Sequence, residues 1–316
     1  MRTTTDGVPM TTMPTSSTPT DPMVGAMVTS LTITVDDPAV GRLTFNALAA
    51  GDPSAAAADR LIVLLHGFPE TAESFREMLA PLGGAGFYAV ALTQRGYSPG
   101  ARPAAVESYD IRALVDDVLH VADKLGAHRF HLVGHDWGGA VAWVAAALHP
   151  DVVTTVSILS TPHPDALSAA VGDPADTQSH ASGYMKTLRA DGAERQILAG
   201  GPGSFVTLFT AGGLPRTKAE TYARTLGTPD ALGAALNWYR ANPLPTDRVV
   251  GPIRVPTLYL WGADDGAFTR STALATAAYV TGPYQFREIP GHSHWLPEEL
   301  PAQMADEVIG QVQRHS

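Results

Sequence analysis

LVGHDWGG, residues 132–139, is the stretch that decides how this 316-residue chain folds. The apolar run 129–133 predicts a short buried strand, and residues 137–148 predict a helix of mostly small side chains. Glycines stand two places before and two places after Asp136, where a tight strand–turn–helix backbone leaves no room for a side chain. The pattern is typical of a nucleophile elbow, which raises its central residue above the edge of the sheet.

The central residue of this turn, Asp136, would act as a carboxylate nucleophile rather than a hydroxyl. A carboxylate that attacks carbon forms an alkyl ester, and water must then cleave that ester. Histidine has a pKa suited to activating the water, and a second carboxylate is needed to orient the histidine. We therefore expect alkyl transfer onto Asp136, with the nucleophile, the acid and the histidine in that order along the chain.

Two later segments supply candidates for the acid and the histidine. Asp264 and Asp265 follow one predicted strand, and His292 and His294 follow the next. Both pairs therefore lie at the carboxyl ends of strands, where open α/β sheets place their sites. The residues alone allow either member of each pair.

The segment HGFP, residues 66–69, follows the buried apolar run 61–65 and predicts a loop beside the elbow. With this kind of elbow, one N–H for a developing oxyanion comes from the residue after the nucleophile, here Trp137, and the other from this loop, here Phe68. Both donors are main-chain groups, so the two side chains are free to line an apolar pocket. Loss of one such donor typically costs about 3 to 4 kcal/mol.

The composition excludes several classes of function. The net charge of −10 and the pI near 5.5 argue against a nucleic-acid-binding surface. The chain has no cysteine, which excludes disulfides, thiolate metal sites and a cysteine nucleophile. No apolar run approaches the roughly 20 residues that a membrane span needs, so we expect no span and a cytoplasmic location.

The N-terminal residues differ in composition from the rest of the chain. Residues 1–26 are mostly Thr, Ser, Pro and Met, so we predict a disordered tail over residues 1–27. A signal peptide needs a basic start and an apolar block, whereas only Arg2 is basic and no block follows, so we expect none. Met23 and Met27 stay open as alternative start positions.

Strand and helix patterns alternate along most of the chain, which predicts a parallel sheet with crossover helices. Besides the run before the elbow, the predicted strands are 31–35, 42–48, 61–65, 87–92, 152–159, 257–261 and 285–289. The predicted helices are 74–82, 109–125, 137–148, 271–279 and 301–314, and a loop is predicted over 49–58. From about 162 to 250 the alternation stops, and four helical patches predict a lid: 184–188, 205–209, 218–226 and 231–240. We therefore expect a core of residues 28–161 and 251–316, with residues 162–250 inserted as a helical cap.

Five short motifs lie at or after the ends of the predicted strands. They are HGFPE (66–70), RGYSPG (95–100), GHDWGG (134–139), WGADD (261–265) and SHWLPEE (293–299). With these motifs the chain resembles the α/β-hydrolase superfamily, and within it the epoxide hydrolases and the related haloalkane dehalogenases. The resemblance covers roughly residues 30–316. It implies the α/β class and an α/β-hydrolase fold, with a mostly parallel eight-stranded sheet flanked by helices and an inserted helical cap.

The resemblance also implies which acid and which histidine act. The acid of the family follows Trp-Gly by three places, which selects Asp265, and its histidine directly precedes an aromatic residue, which selects His294. The family usually has glycine before this histidine, where this chain has Ser293. Around the substrate, the resemblance implies four further residues: His66, Pro69, Trp238 and Trp295.

Epoxide hydrolases that resemble this chain carry two lid tyrosines that donate hydrogen bonds to the epoxide oxygen. A strained ether is a poor leaving group until its developing alkoxide is neutralised, and a phenol of pKa near 10 suits this role. The segment NWYR, residues 237–240, selects Tyr239, and SGYM, residues 182–185, selects Tyr184. Tyr222 lies in a charged helical patch and is expected at the surface. The implied scheme needs neither a metal nor an organic cofactor.

Two alternatives stay open. A haloalkane or haloacid dehalogenase would use the same Asp-His-Asp set, but Phe68 offers no side-chain donor for halide, and Trp137 stands where fluoroacetate dehalogenases carry arginine. A non-catalytic homologue would bind a small ligand without turnover. We expect a small apolar epoxide and water as the partners, with no nucleic acid and no membrane, and self-association is left open.

Overall fold

The computed structural model describes residues 26–315, so the predicted tail lies outside the described residues except for its last two positions. The described chain contains one sheet, whose strands are β1 (Thr29–Asp37), β2 (Gly41–Ala50), β3 (Leu61–Leu65), β4 (Tyr88–Leu92), β5 (Phe130–His135), β6 (Val153–Leu159), β7 (Thr257–Gly262) and β8 (Tyr284–Ile289). Their order is β1-β2-β4-β3-β5-β6-β7-β8. β1 and β2 run antiparallel, and β3 to β8 are parallel to one another. This mostly parallel eight-stranded sheet confirms the predicted fold class.

Helices cover both faces of the sheet and fill the connection between β6 and β7. Within residues 26–315 the α-helices are α1 (Arg76–Gly84), α2 (Ile111–Lys124), α3 (Trp137–Leu148), α4 (Pro164–Gly172), α5 (Thr177–Ala181), α6 (Tyr184–Arg189), α7 (Ala193–Ile197), α8 (Pro202–Ala211), α9 (Arg216–Leu226), α10 (Pro229–Ala241), α11 (Arg270–Ala275), α12 (Leu296–Glu299) and α13 (Pro301–His315). The seven helices from α4 to α10 form the insertion, as expected for a cap. No helix in the described part of the chain has the length and apolar character needed to cross a membrane.

β3 shows why the central strands are continuous apolar runs. Its five residues LIVLL are all buried, and alternate side chains point to opposite faces. Leu61, Val63 and Leu65 join the hydrophobic cluster that contains the buried faces of α2 and α3. Ile62 and Leu64 join the cluster formed with α1 and α13 on the other face. Two helical layers therefore enclose the strands whose ends carry the candidate catalytic residues.

Local capping explains where the structure departs from the predicted limits. The loop predicted over 49–58 is instead the end of β2 followed by a 3₁₀ turn at Pro53–Ala58, because the Asp52 side chain accepts the N–H of Ser54 at 2.9 Å. α2 begins at Ile111 rather than at 109, because Asp110 caps it by accepting the N–H of Arg112 at 3.0 Å.

The insertion holds more helices than the four predicted patches. The additional ones are α4, α5 and α7, of nine, five and five residues. Two of them start at side-chain caps, His163 for α4 and Asp176 for α5, while α7 follows Gly192 in the left-handed region at φ +77°. Helices this short carry little periodicity, so the sequence pattern did not reveal them.

Candidate active site

The elbow places Asp136 between the end of β5 and the start of α3. Its backbone has φ +49° and ψ −122°, a conformation that side-chain-bearing residues rarely adopt. The flanking glycines are required sterically: a Cβ on Gly134 would lie 2.3 Å from the carbonyl oxygen of Gly138, and one on Gly138 would lie 2.0 Å from that of Leu65. The chain therefore crosses itself closely at this point, and the carboxylate of Asp136 is turned out at the carboxyl end of the sheet.

The loop after β3 supplies a hydrogen bond to that carboxylate. The backbone N–H of Phe68 donates to Oδ1 of Asp136 at 2.8 Å. Trp137 is the first residue of α3, so its N–H has no acceptor within the helix. The two backbone groups predicted for an oxyanion hole thus flank Asp136, and the Phe68 donor contacts it directly.

His294 lies between the two aspartates. Its Nε2 is 3.6 Å from Oδ2 of Asp136, and its Nδ1 is 3.0 Å from Oδ2 of Asp265. The other oxygen of Asp265, Oδ1, accepts the backbone N–H groups of Ala267 at 2.7 Å and Phe268 at 3.0 Å. These bonds fix the carboxylate, and it in turn fixes the imidazole with Nε2 toward the nucleophile.

The neighbouring candidates lie elsewhere. Asp264 is exposed to solvent. Nδ1 of His292 is 3.1 Å from Oε2 of Glu299. The hydroxyl of Ser293 bonds the same carboxylate, so the serine that replaces the family glycine helps to anchor this loop. The structure brings Asp265 and His294 together with the nucleophile and leaves the other two residues outside.

The two carboxylates control the charge of His294. Burial by itself would lower the pKa of His294, but the negative charges of Asp265 and Asp136 and their hydrogen bonds outweigh it, so the pKa lies well above its ordinary value. The imidazole therefore carries a proton while both carboxylates are ionised. Removing the charge of Asp136 would remove part of this stabilisation and lower the pKa of His294 again.

The two predicted tyrosines come from the insertion and face the elbow. The Tyr239 ring, on α10, packs edge-on against Phe68 and Trp137 with centroid distances of 5.4 and 5.0 Å. Tyr184 starts α6 and lines the same cavity as Asp136. Desolvation raises the pKa of Tyr239, which is 3% exposed, and that of Tyr184, whose outer edge leaves it 37% exposed, and the charge of Asp136 raises each further, so both stay protonated in the resting site.

A cavity of about 940 Å³, counting the part open to solvent, connects Asp136 to the surface. Its apolar walls are formed mainly by α3, the loop after β6, α4, α6 and the segment after α10. The residues of this wall that the sequence pattern did not indicate include Ile111, Val144, Leu167, Met185, Leu244, Val250 and Phe268. They are spread over a stretch of more than 150 positions, from Ile111 to Phe268, and share only their apolar character. No sequence signal therefore marked them as one surface.

Four residues predicted for the pocket do not line this cavity: His66, Pro69, Trp238 and Trp295. His66 is buried, and its Nε2 accepts the N–H of Gln94 at 3.1 Å, while burial lowers its pKa to about 4. The indole N–H of Trp238 donates to the carbonyl of Arg95 at 2.8 Å, and that of Trp295 donates to the carbonyl of Gly212 at 2.9 Å. The polar atoms of His66, Trp238 and Trp295 instead form bonds that join the loops and the insertion to the core.

The expectation that Tyr222 lies at the surface was wrong. Its side chain is fully buried, and its hydroxyl donates to Oε1 of Glu298 at 2.6 Å. Ala219, Tyr222, Ala223 and Leu226 form one buried stripe at helical spacing along α9. That periodicity was present in the sequence and would have revealed the buried face, which the charges on the opposite face concealed.

Potential metal ligands are dispersed in the described part of the chain. Between residues 26 and 315, histidine, aspartate and glutamate side chains form no group of three or more that could hold a metal ion.

Comparison with known proteins agrees with this geometry. A family model described as alpha/beta hydrolase fold matches residues 60–301. Epoxide hydrolase A of Mycobacterium tuberculosis strain H37Rv is 34% identical over 292 residues, which covers 81% of this chain and 89% of that protein. A solved structure described as a novel epoxide hydrolase of the α/β-hydrolase superfamily, from metagenomes of hot environments, superposes with a TM-score of 0.76 at 25% identity, over 89% of this chain and 98% of the other. For the crystal structure of epoxide hydrolase A from Mycobacterium thermoresistibile, the TM-score is 0.74 at 26% identity, over 90% of this chain and 98% of the other. The chain therefore belongs to the α/β-hydrolase family and is related to its epoxide hydrolases.

Proposed function

We propose that the protein is an epoxide hydrolase, which converts an epoxide into a vicinal diol through an ester on Asp136. The observation that carries the proposal is the arrangement around this carboxylate. Its Oδ1 is held by the N–H of Phe68, its Oδ2 faces His294, and the cavity beside it is shared with Tyr184. A nucleophile, a base and phenolic donors are the groups that opening and hydrolysing an epoxide requires.

In the first half-reaction, Oδ2 of Asp136 attacks an epoxide carbon. The carbon–oxygen bond of the ring breaks, and the alkoxide takes a proton from a phenol, Tyr184 or Tyr239. The product is a neutral hydroxyalkyl ester, so the charge of Asp136 is lost and the pKa of His294 falls. The proton that His294 releases replaces the one that the phenol gave up, and the total charge of the site is unchanged.

In the second half-reaction, neutral His294 takes a proton from water, and the oxygen attacks the carbonyl carbon of the ester. The negative charge develops on Oδ1, where the N–H groups of Phe68 and Trp137 receive it. The bond from that carbon to Oδ2 then breaks. The diol leaves with the proton from His294, and the remaining carboxyl proton returns to the imidazole.

The inserted helices complete the proposed enzyme as a cap. Residues 162–250 supply the two phenols and one wall of the cavity, whereas residues 28–161 and 251–316 supply the nucleophile, the base and the acid. The cavity wall is mostly apolar, so we propose small apolar epoxides as substrates.

A trapping experiment with a racemic aryl epoxide tests this function. His294→Ala should accumulate a covalent adduct, seen as a mass increase of one substrate in the intact protein, and Asp136→Ala should form none. In oxygen-18 water, one turnover of the unmodified protein should place the label in Asp136 and not in the diol.

Two outcomes would contradict the proposal. Release of halide from haloalkanes, without diol from epoxides and without dependence on Tyr239, would identify a dehalogenase. Binding of the epoxide without turnover, unchanged in Asp136→Asn, would identify a ligand-binding protein.

A further inference from the structure

A buried chain of polar groups lies next to the proposed nucleophile, and its residues Glu70, His135 and Ser160 do not line the cavity. Oε2 of Glu70 accepts the N–H of Gly67 at 2.7 Å and lies 2.9 Å from Nδ1 of His135. Nε2 of His135 donates to the carbonyl oxygen of His294 at 2.8 Å, and the hydroxyl of Ser160 donates to the same oxygen at 2.7 Å. One carboxylate therefore connects the loop of Phe68, the residue before Asp136 and the residue that carries the base.

The chain continues to a second carboxyl group, that of Glu298 on α12. The carboxyl groups of Glu298 and Glu70 are close enough to interact directly. Oε1 of Glu298 already accepts the hydroxyl of Tyr222 at 2.6 Å, and Oε2 of Glu70 is already occupied by two partners. The two remaining oxygens, Oε1 of Glu70 and Oε2 of Glu298, are buried, and neither has a hydrogen-bond partner among the described residues. A hydrogen bond between two carboxyl groups requires a proton on one of them.

We propose that Glu298 is a positioning residue that keeps its proton in the folded protein and donates a hydrogen bond through it to Glu70. This bond holds His294 and the oxyanion loop in register with Asp136. Glu70 is the ionised member because it faces His135 and the N–H of Gly67, whereas Glu298 faces a hydroxyl. The positioning of a catalytic base rests on the function proposed above, but the shared proton does not.

The charges around the pair support this assignment. Burial would raise the pKa of Glu70, but the neighbouring His135 outweighs it and lowers the value to about 2. Burial, followed by the charge of Glu70, raises the pKa of Glu298 well above its ordinary value. The hydrogen bond from Tyr222 and then the charge of Lys218 lower the pKa of Glu298, but they are outweighed, and Lys218 is also paired with Glu77 at 3.0 Å.

Unfolding measured against pH tests the shared proton without any need for turnover. Because Glu298 keeps its proton when folded and loses it when unfolded, its contribution to stability is full below about pH 4 and decreases as pH rises. Glu298→Gln keeps both hydrogen bonds, since the amide donates to Glu70 and accepts from Tyr222, but it cannot titrate. The ratio of the two unfolding constants, unmodified protein over Glu298→Gln, should rise about tenfold per pH unit from about pH 5.5 until the folded Glu298 titrates.

The control is Glu220→Gln, an exposed change on α9 at a residue that pairs only with Arg216 at 3.0 Å. Its unfolding constant should run parallel to that of the unmodified protein across the pH range. A constant ratio for Glu298→Gln as well would overturn the shared proton.

Turnover of the aryl epoxide tests the positioning role. Glu298→Gln should retain kcat within about twofold at pH 7 and keep it to higher pH, because it cannot ionise beside Glu70. A loss of more than tenfold at pH 7 would show that a charge at this position is needed, and would overturn the proposal. If the unmodified protein turns over no epoxide, the proposed function fails. The unfolding measurements still test whether Glu298 is protonated in the folded protein.

Discussion

The backbone N–H of Phe68 donates to Oδ1 of Asp136 at 2.8 Å before any substrate is present. The oxygen that would become the ester carbonyl is therefore already in contact with the group that would stabilise its negative charge. Oδ2, 3.6 Å from Nε2 of His294, is then the attacking atom in the proposed mechanism. No movement of the loop is needed between the two half-reactions.

Gly67→Ala should disrupt this contact. A Cβ at Gly67 would lie 2.3 Å from both Cβ and Oδ1 of Asp136, so the loop must move away. We expect kcat for diol formation to fall about 10²-fold or more, the range for loss of one oxyanion donor. Gly84→Ala is the control, because a Cβ there meets no atom within 4 Å. Equal rates for both variants would exclude a role for the Phe68 donor.

Comparing Asp265→Asn with Asp264→Asn should show which of the two adjacent aspartates orients His294. Asparagine would present a different hydrogen-bonding group to Nδ1 of His294 and favour the wrong tautomer, so we expect kcat to fall by about 10⁴-fold. Asp264 is exposed, and Asp264→Asn should stay within about twofold of the unmodified protein. Steady-state kinetics on both variants check this, and a larger loss for Asp264→Asn would reverse the assignment.

Replacing the cap phenols should affect only the opening of the epoxide. In the His294→Ala background, Tyr184→Phe and Tyr239→Phe should each slow adduct formation by about 10²-fold to 10⁴-fold, because the alkoxide loses a proton donor. Tyr284→Phe, on the edge strand β8, is the matched control and should not slow it. Rates of adduct formation from intact mass measure the effect, and unchanged rates in the double variant would rule the phenols out.

Protonation of His163 should account for part of the loss of folding stability at acidic pH. This residue caps α4, stacks on Tyr279 at 4.8 Å and donates from Nε2 to the carbonyl of Gly251 at 3.1 Å. Burial lowers its pKa to about 4 from an ordinary 6.5. Because the unfolded chain binds the proton more readily, neutral His163 stabilises the folded protein fully above pH 6.5, and this stabilisation is lost as pH falls toward 4. Urea unfolding from pH 7 to 4 should show a shallower decline for His163→Gln, and an identical decline would contradict this.

The buried ion cluster around Arg95 should be essential for folding stability. Its guanidinium lies 2.6 Å from Asp37 and 2.7 Å from Asp117, and all three side chains are buried. Arg95→Met leaves two buried carboxylates without their cationic partner, so we expect a loss of about 3 to 5 kcal/mol in the free energy of unfolding. The control is Arg42→Met, whose pair with Asp36 is exposed and should contribute at most about 1 kcal/mol. Denaturant titration measures both, and similar losses would contradict the buried cluster's role.

Most of the features that the sequence predicted correctly came from short local motifs. The glycines at 134 and 138 predicted the crossing of the chain at Asp136, because the contacts that exclude a Cβ are set by the turn itself. The continuous apolar runs predicted the central strands, because burial on both faces removes alternation. The resemblance to the epoxide hydrolases selected Asp265 and His294, and the structure brings these two together at 3.0 Å.

Contacts between distant segments were not predicted. The bond from Tyr222 to Glu298 joins residues 76 positions apart, and the bond from His135 to His294 spans 159 positions. The face of α9 that carries Tyr222 is set by what packs against it, and the charges of that helix concealed its apolar stripe. For the same reason the aromatic residues predicted for the pocket were misplaced: aromatic character does not specify whether a ring faces a cavity or a neighbouring loop.

The two ends of the insertion between β6 and β7 are joined to each other. The carboxylate of Asp165 accepts the N–H groups of Val250 at 2.9 Å and Gly251 at 3.0 Å, so the helical segment leaves the core and returns to it at almost the same place. The segment can therefore be lengthened, shortened or exchanged as a cassette without changing the register of any strand. The phenols belong to the cassette, and the carboxylate, base and acid belong to the scaffold. Under the proposed mechanism, selection can consequently alter which electrophile is activated without changing the residues that cleave the ester.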